Sequence, residues 1–508
     1  MKKSSLAKAL CLMLAILMLV PTLCSCLDKD PPEPDSTSQQ SNEDTGNNGT
    51  VDNNGGGEDD LQAILGFGPE NNSNYKFTML VSDTDEYEHK ATRLTDDYVN
   101  DAIFKRNKAV EDFFQIELNV KTAAGDYTDK YIFTDKVCSP ILSGDHEHDL
   151  IVGVSATVAD MLGNQYFLPV NKINYIDLSK EWWLPDQYED LQINSNIYSL
   201  YGDMNLSRYS KLHCFIFNTQ LINRYGLTSP YKMVENNTWT YSNMVKQTVA
   251  VGHEQAGNGV NISSDVFGMI GSTNTQRALL TGFGLEILTR DTATGKPIFP
   301  TSLSSTYIGA YNMVSNAFKN NEYNFLQTKI ANDDYSTHLN ALAQNRCLHL
   351  PAYTYWLTDP ILTNMSGQFG VAPYPKLSTS QPQYYSQIAT GATVTLFPRT
   401  LIKGGEALSA KVATYMSYIG KHAVADKYFE SYLGERLTSS ADMQNMLRTI
   451  KETATVTLTT AYHAAYENTL LSIFGSCPTD FGSGIGDEYL LRRPNWNATL
   501  RYYLSTRY

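Results

Sequence analysis

Between residues 75 and 154 the chain alternates apolar runs with amphipathic ones, and this alternation narrows the possible folds more than any other feature. Residues 75–83 (YKFTMLVSD) stay apolar until polar residues end the run, which predicts a strand. Across 97–118, Val99, Ile103, Val110, Phe113 and Phe114 recur near a 3.6-residue spacing, which predicts a helix with Lys105, Arg106, Lys108 and Glu111 on its polar side. Residues 116–120 resume as a strand, 127–142 read as a second helix, and 149–154 (DLIVGV) form a compact run expected to be a buried strand. Strand, helix, strand, helix, strand is the signature of an α/β layer with parallel strands.

A second informative stretch is 197–226 (IYSLYGDMNLSRYSKLHCFIFNTQLINRYG). Two apolar-aromatic runs, 197–201 and 212–217, are separated by a polar turn holding Gly202, Asp203, Asn205 and Ser207. The second run leads into a helical pattern, Leu221, Ile222 and Tyr225, stopped by Gly226. Here the chain is expected to leave one lobe and enter another. Further on, Thr240 is placed to cap a helix over 244–251, and 285–300 reads as a hairpin around TATG. Helices are expected at 305–319, 337–343, 407–419, 424–433 and 440–449, and strands at 348–356 and 391–397, with 369–376 an extended edge closed by prolines. No low-complexity linker follows residue 60, yet roughly 440 residues is long for one core. Two lobes joined by several chain crossings fit that length.

The N-terminus carries an address. Lys2, Lys3 and Lys8 precede an apolar run over 9–20, too short for a membrane span in the mature protein. The run ends in Leu23-Cys24-Ser25-Cys26, which resembles the lipobox of bacterial lipoproteins and implies cleavage before Cys26 and lipidation of its thiol. Two acyl chains anchor firmly where one is marginal. Residues 27–60 hold ten acids, one lysine and almost nothing apolar, the composition of a disordered tether.

The whole chain carries −14, which argues against nucleic acid as a partner. Cys138, Cys214, Cys347 and Cys477 lie far apart with no paired spacing, and free buried thiols are expected. Tyr outnumbers Phe, 33 to 19. That suits aromatic faces with a polar tip, in clefts and cores alike.

Taken in order, several motifs resemble the extracellular solute-binding proteins of bacterial ABC importers, in the branch of sugar-binding lipoproteins from anaerobic Gram-positive bacteria. They are Arg106-Asn107 with Val110-Glu111, Asp149-Leu150, Ile176-Asp177-Leu178-Ser179 before Trp182-Trp183, and Tyr201-Gly202-Asp203. Phe217-Asn218-Thr219, Tyr225-Gly226-Leu227 and Trp239-Thr240 follow, then Pro373-Tyr374-Pro375-Lys376, Gln383-Tyr384-Tyr385, Glu435-Arg436-Leu437 and Met446-Leu447. The resemblance implies an α/β, two-lobed clamp like the periplasmic binding proteins, with multiple crossings between lobes. It implies a signal peptide over 1–25, the lipidated Cys26 and tether over 26–60, and a first lobe over 61–198 and 388–437. The second lobe takes 199–387 and 438–508, with the tail. A return crossing is expected near 385–391 and another near 433–440.

Sugars present apolar faces and many hydroxyls, so a site for them needs flat aromatic platforms beside planar polar groups. Such groups belong at the C-terminal ends of strands, the ligand-facing rim of open α/β sheets. Tyr353, Tyr355 and Trp356 close the strand beginning near 348 and are the candidate platform. Asp83 and Asp85 end the first strand and are candidate acceptors, with helix capping or a turn as their alternative. Tyr201 and Asp203 lie on the crossing, in the cleft or shaping the hinge. Trp182, with Trp183, is a candidate platform at the mouth, although at least one is expected to pack. Asn274 and Arg277 are candidates for the second lobe's wall. Ser155, Thr157 and Trp239 read as capping or packing residues.

Metal and catalytic signals are weak. The loop 255–265 lacks the acidic ligands of a calcium loop, and His146-Glu147-His148 reads as a solvated turn. There is no HExxH, GxSxG, Walker loop or GxGxxG in a strand–helix setting. No metal, no cofactor and no enzymatic activity are expected. The expected role is capture of a carbohydrate, an oligosaccharide by preference, by a lipid-anchored monomer that hands it to the transmembrane subunits of an ABC permease. A surface sensor or scavenging lipoprotein and a carbohydrate-active surface enzyme are the alternatives.

Overall fold

A computed structural model describes residues 58–505 apart from scattered single residues and short stretches, the longest being 328–334, 434–439 and 462–483. All described residues belong to one unit that begins at Asn54. Cys26, the tether, Cys477 and the crossing expected near 433–440 lie outside the described residues.

Strands β1 (Tyr75–Ser82), β2 (Ile116–Ala123), β3 (Leu150–Val154) and β12 (Thr393–Leu396) form one sheet in the order β12-β3-β1-β2. The three early strands are parallel, and β12 returns antiparallel to β3. Strands β4 (His213–Asn218), β5 (Phe267–Gly271), β8 (Phe325–Gln327), β9 (Cys347–Tyr353) and β10 (Phe369–Ala372) form the second sheet, in the order β10-β4-β9-β5-β8. There β4 is antiparallel to both neighbours, while β5 is parallel to β8 and β9. The run at 369 is an edge strand, β10, that ends just before Pro373 and Pro375. Two ladders are short: β6 (Thr289–Arg290) with β7 (Pro297–Ile298), the expected hairpin, and β11 (Ser386–Gln387) with β13 (Ala454–Thr455). The architecture is the α/β, two-lobed one.

Local signals account for most boundaries. The helix Tyr98–Phe114 starts at Asp97, whose carboxylate accepts from the Val99 and Asn100 N–H groups. It buries Val99, Ile103, Val110 and Phe114, and packs on β2 and on the helices Gly405–Ile419, Gly420–Ala425 and Lys427–Leu433. Asn218 caps the helix Thr219–Arg224 in the same way, and Gly226 takes the left-handed conformation (φ +59°) that stops it. Thr240 caps Tyr241–Val251 through the Asn243 N–H. Ser440 caps Ala441–Glu452, which packs on β10 and on the helix Pro230–Glu235.

The run at 197–201 departs from its expected strand. Only Leu200 pairs, in an isolated bridge with Thr395. The next residue's backbone is taken by a side chain: the Tyr188 hydroxyl donates to the Tyr201 carbonyl (2.9 Å) and accepts the Tyr201 N–H (3.0 Å). The 424–433 helix also differs, in that Gly420–Ala425 and Lys427–Leu433 wind in wide π-type turns. Gly420 admits the crossing here, since a Cβ would stand 2.1 Å from the Asp203 carbonyl oxygen.

Arg106 is placed differently from its expected polar face. It is 1% exposed and donates to the carbonyls of Glu88 (2.6 Å) and Met204 (2.8 Å). The solvated reading of His146-Glu147-His148 holds for Glu147, which is exposed beside Lys121, but His148 is buried and His146 sits against Tyr75 and Asp149. Cys138, Cys214 and Cys347 are free thiols, the last two buried. Among the described residues no helix is long and apolar enough to cross a membrane.

Candidate functional site

The strand ends set the site. The C-terminal ends of β1 and β3 deliver Asp83–Glu88 and Ser155–Ala159 to one rim, and that of β9 delivers Tyr353 and the turn Thr354–Thr358 to the other. Between them runs the crossing 202–212, which is bridged to the returning chain between Leu212 and Ile388 and then enters the second sheet as β4.

Several polar candidates on the first-lobe side are engaged inside the protein. Asp203 is 2% exposed and pairs with Arg208 at 2.5 Å, and its N–H donates to the Trp182 carbonyl at 3.0 Å. Burial pushes the Asp203 carboxyl upward, and the Arg208 charge pulls part of the way back. Asp85 is equally buried and accepts from Lys211 Nζ at 2.7 Å, while the same ammonium donates to the Gly391 carbonyl at 2.8 Å. Lys211 therefore ties the rim after β1 to both crossings. Asp83 is exposed, and its carboxylate accepts the Gly125 N–H at 3.2 Å. Tyr201 is buried with its hydroxyl 2.9 Å from Ser155 Oγ. Trp182 and Trp183 are both enclosed: Trp182 lies edge-on to Trp183 and to Tyr418, and the Trp183 ring leaves no room for a Cβ at Gly202. Both indoles are thus used in packing the first lobe.

The second-lobe rim is aromatic. Tyr353 and Tyr355 stack in parallel, 5.8 Å apart at 9°, and Trp356 stacks on Tyr335 at 4.7 Å and 14°. Trp356 is 3% exposed, whereas Tyr353 and Tyr355 are half-buried. His213 packs edge-on to Tyr353 and is held neutral, since burial and then the nearby Arg277 charge lower it to about 3. Arg277 is half-buried on the helix Thr273–Gly282, whose capping box is closed by Ser272 and Thr275; Asn274 is exposed.

Two cavities lie along the gap. One, of about 230 Å³, draws on both lobes and the crossing: Tyr87 from the rim after β1, Ser210 and Leu206 from the crossing, Tyr355 and Thr358 from the second lobe, and Tyr428 from the wide-turn helix. Tyr87 also reaches Ser210 Oγ at 3.3 Å. The other, of about 370 Å³, is lined by Glu286, Arg290, Tyr385, Thr455, Thr457 and Leu458, among others. The helix Leu458–Ala461 at its edge packs on Ser155–Ala159 of the first lobe, and Arg290 donates to the Gln192 carbonyl at 2.8 Å. Burial pushes the Glu286 carboxyl up to about 7 against the opposing pull of Thr459, Thr457 and Arg277. Of the residues expected from sequence, only Tyr355 lines either cavity. Tyr87 and Tyr428 sit in the acidic and amphipathic runs DTDEYEHK and KYFESYL, whose residue order gave no platform signal. Among the described residues no cluster of acids, histidines and cysteines has the geometry to hold a metal ion.

No family model matches the sequence, and no curated protein matches it. Solved structures do. The GacH receptor of Streptomyces glaucescens, solved unliganded and in complex with acarbose, superposes with a TM-score of 0.51 at 11% identity, over 85% of this chain and all of that one. UspC of M. tuberculosis superposes with a TM-score of 0.51 at 12% identity, over 83% of this chain and 99% of that one. At such identities the likeness is one of fold, and the fold shared is the two-lobed binding-protein clamp.

Proposed function

We propose that this chain is an extracellular solute-binding lipoprotein that captures a carbohydrate between its lobes and delivers it to an ABC importer. The observation that carries the proposal is the cavity of about 230 Å³ at the lobe junction, where Tyr87, Tyr355 and Tyr428 converge with Ser210 and Thr358. Flat rings beside hydroxyls suit a sugar, whose apolar face stacks while its hydroxyls need partners. The GacH receptor, which has this fold, was solved in complex with acarbose and compared with an acarbose-loaded maltose binding protein, and that supports a sugar as the substrate class here. Closure would draw on contacts made only when the lobes meet around ligand.

Tyr353 and Tyr355 are assigned to the sugar platform, with Trp356 behind them. Asp83 and Arg277 are the candidate polar contacts from the two rims. Asp85, Tyr201, Asp203 and Trp182 support the site from within. The lipobox supports Cys26 as the anchor, at the extracellular face of the membrane, with the acidic stretch after it as tether. In a membrane fractionation, Cys26→Ser should move the protein to the soluble fraction. Calorimetric titration against a panel of oligosaccharides, peptides and polyamines tests the substrate class. Micromolar binding of a sugar is expected; binding only to peptides or polyamines would sink it.

A further inference from the structure

Glu88 stands out among the buried polar groups, because it is fully enclosed, ionisable and in touch with both chain crossings at once. Its carboxyl accepts the backbone N–H of Ser207, in the first crossing, and the hydroxyl of Thr393, where the second crossing becomes β12 (2.8 Å). The hydroxyls form a chain with one direction. The Thr393 N–H donates to Ser207 Oγ (2.9 Å), Ser207 Oγ lies 2.9 Å from Thr393 Oγ1, and Thr393 Oγ1 donates to Glu88 Oε2. Every donor has an acceptor when both carboxyl oxygens accept, which is the ionised state. A proton on Oε2 turns the Thr393 hydroxyl onto Ser207 Oγ. That oxygen already accepts the Thr393 N–H, so its own hydrogen loses its acceptor in the chain.

We propose that Glu88 is a proton-operated latch on the hinge. Ionised, it ties both crossings to the first lobe; protonated, it breaks one link of the hydroxyl chain and lets the lobes swing wider. The inference rests on the reading of the molecule as a hinged clamp. The surroundings make the latch switchable. Asp85 and His89 share its turn, Arg106 faces it from the helix Tyr98–Phe114, and Lys211 faces it from the crossing. His89 is held neutral by burial and by Arg106, and its ring pairs with Asn205 Oδ1 (3.2 Å), so it does not answer the carboxyl with a charge. Burial and then the Asp85 charge push the Glu88 carboxyl up to about 8, against the pull of Ser207, Thr393 and Lys211. The latch therefore changes state in mildly alkaline solution.

The test is the interlobe distance of the full chain without ligand, read by spin labels at Asp145→Cys and Asn312→Cys in a background that carries Cys138→Ala and Cys477→Ala. Between pH 7 and pH 9 the parent should pass from the wider to the narrower distribution, as a single-proton titration spanning about two pH units requires. Glu88→Gln should stay wide throughout. A parent distribution that does not move over this range overturns the latch, whether or not the variant folds. A Glu88→Gln profile that follows the parent's overturns it too, with Ser207→Ala as a second variant that leaves the carboxyl in place and should also stay wide. Because no sugar is present, a failed carbohydrate panel would sink the proposed function and leave this result standing.

Discussion

On the first-lobe side of the gap, Asp85, Asp203 and Glu88 each end on a partner inside the protein, at Lys211, at Arg208, and at Ser207 with Thr393. On the second-lobe side, Tyr353 and Tyr355 keep part of their surface open, and Tyr355 lines a cavity. The difference follows from what each wall does. The first lobe receives two crossings within a few residues of each other, and their backbone groups must be satisfied where water does not reach. Charged side chains do that work, and a charge so used is not free to greet a ligand. On the second-lobe side the same two crossings meet at the bridge between Leu212 and Ile388, and the rim at the end of β9 carries aromatic surface instead. On the proposed function, ligand recognition falls chiefly to the rings, and hinge geometry to the charges.

The largest effect that breaks or sharpens this contrast is at Asp203. If its charge belongs to the hinge, Asp203→Ala leaves Arg208 buried without its partner and should cost about 3–5 kcal/mol of stability. Chemical denaturation measures it. A variant of parental stability with lost sugar binding would instead put Asp203 in the site. Replacing both Asp203 and Arg208 with apolar residues of similar volume should recover most of the loss, since the pair's attraction is largely offset by its desolvation.

Next in size is the pH dependence carried by Glu88. Its folded-state value, about 8, lies above the ordinary 4.5. The protonated group therefore favours the fold fully below about pH 4.5, and that contribution is lost progressively as pH rises through 8. Thermal unfolding across pH 5 to 9 should show the melting temperature falling in this window, with a shallower fall for Glu88→Gln. An equal slope in the two proteins would place the pH dependence elsewhere. This quantity is distinct from the hinge equilibrium, because opening compares two folded states whereas melting compares the folded chain with the unfolded one.

Much of the fold was legible because its signals are local. The alternation over 75–154 marks β1, β2 and β3, and the caps at Asn218, Thr240 and Ser440 mark helix starts, since capping depends on neighbours in the chain. The site was less legible because its logic is tertiary. Arg106 occupies a helix position where solvent and burial are equally compatible with the sequence, and only the carbonyls of Glu88 and Met204 decide it. Trp182 has the composition of a platform, but Tyr418, more than two hundred residues away, covers it. Tyr188 cancels a strand by hydrogen-bonding the backbone of Tyr201, which no periodicity in 197–201 announces. Tyr355 was accessible to sequence reasoning because strand ends face the cleft in any open α/β sheet.

The smallest predicted effect, at Tyr355, is the one that isolates the second wall, and Trp356 is its large-effect control. Trp356 and Tyr355 are adjacent, yet the first is enclosed against Tyr335 and the second is half-open. Trp356→Ala removes a core ring and should cost about 3–5 kcal/mol, in the range of large aromatic truncations. Tyr355→Ala removes a ring already in part solvated, so its stability cost should stay near 1 kcal/mol, in the middle of the range for single substitutions. If the ring stacks on ligand, its loss should weaken sugar binding about tenfold, equivalent to about 1.4 kcal/mol. Tyr355→Phe keeps the stacking face and should retain most of the affinity. Titration calorimetry on the three variants, beside their melting temperatures, separates the roles: affinity must follow Tyr355 and stability must follow Trp356. If Tyr355→Ala binds as the parent does, the platform lies elsewhere along the gap. The cavity bounded by Tyr385, Glu286, Thr455 and Thr457 then becomes the place to look, with Tyr385→Ala as the corresponding change.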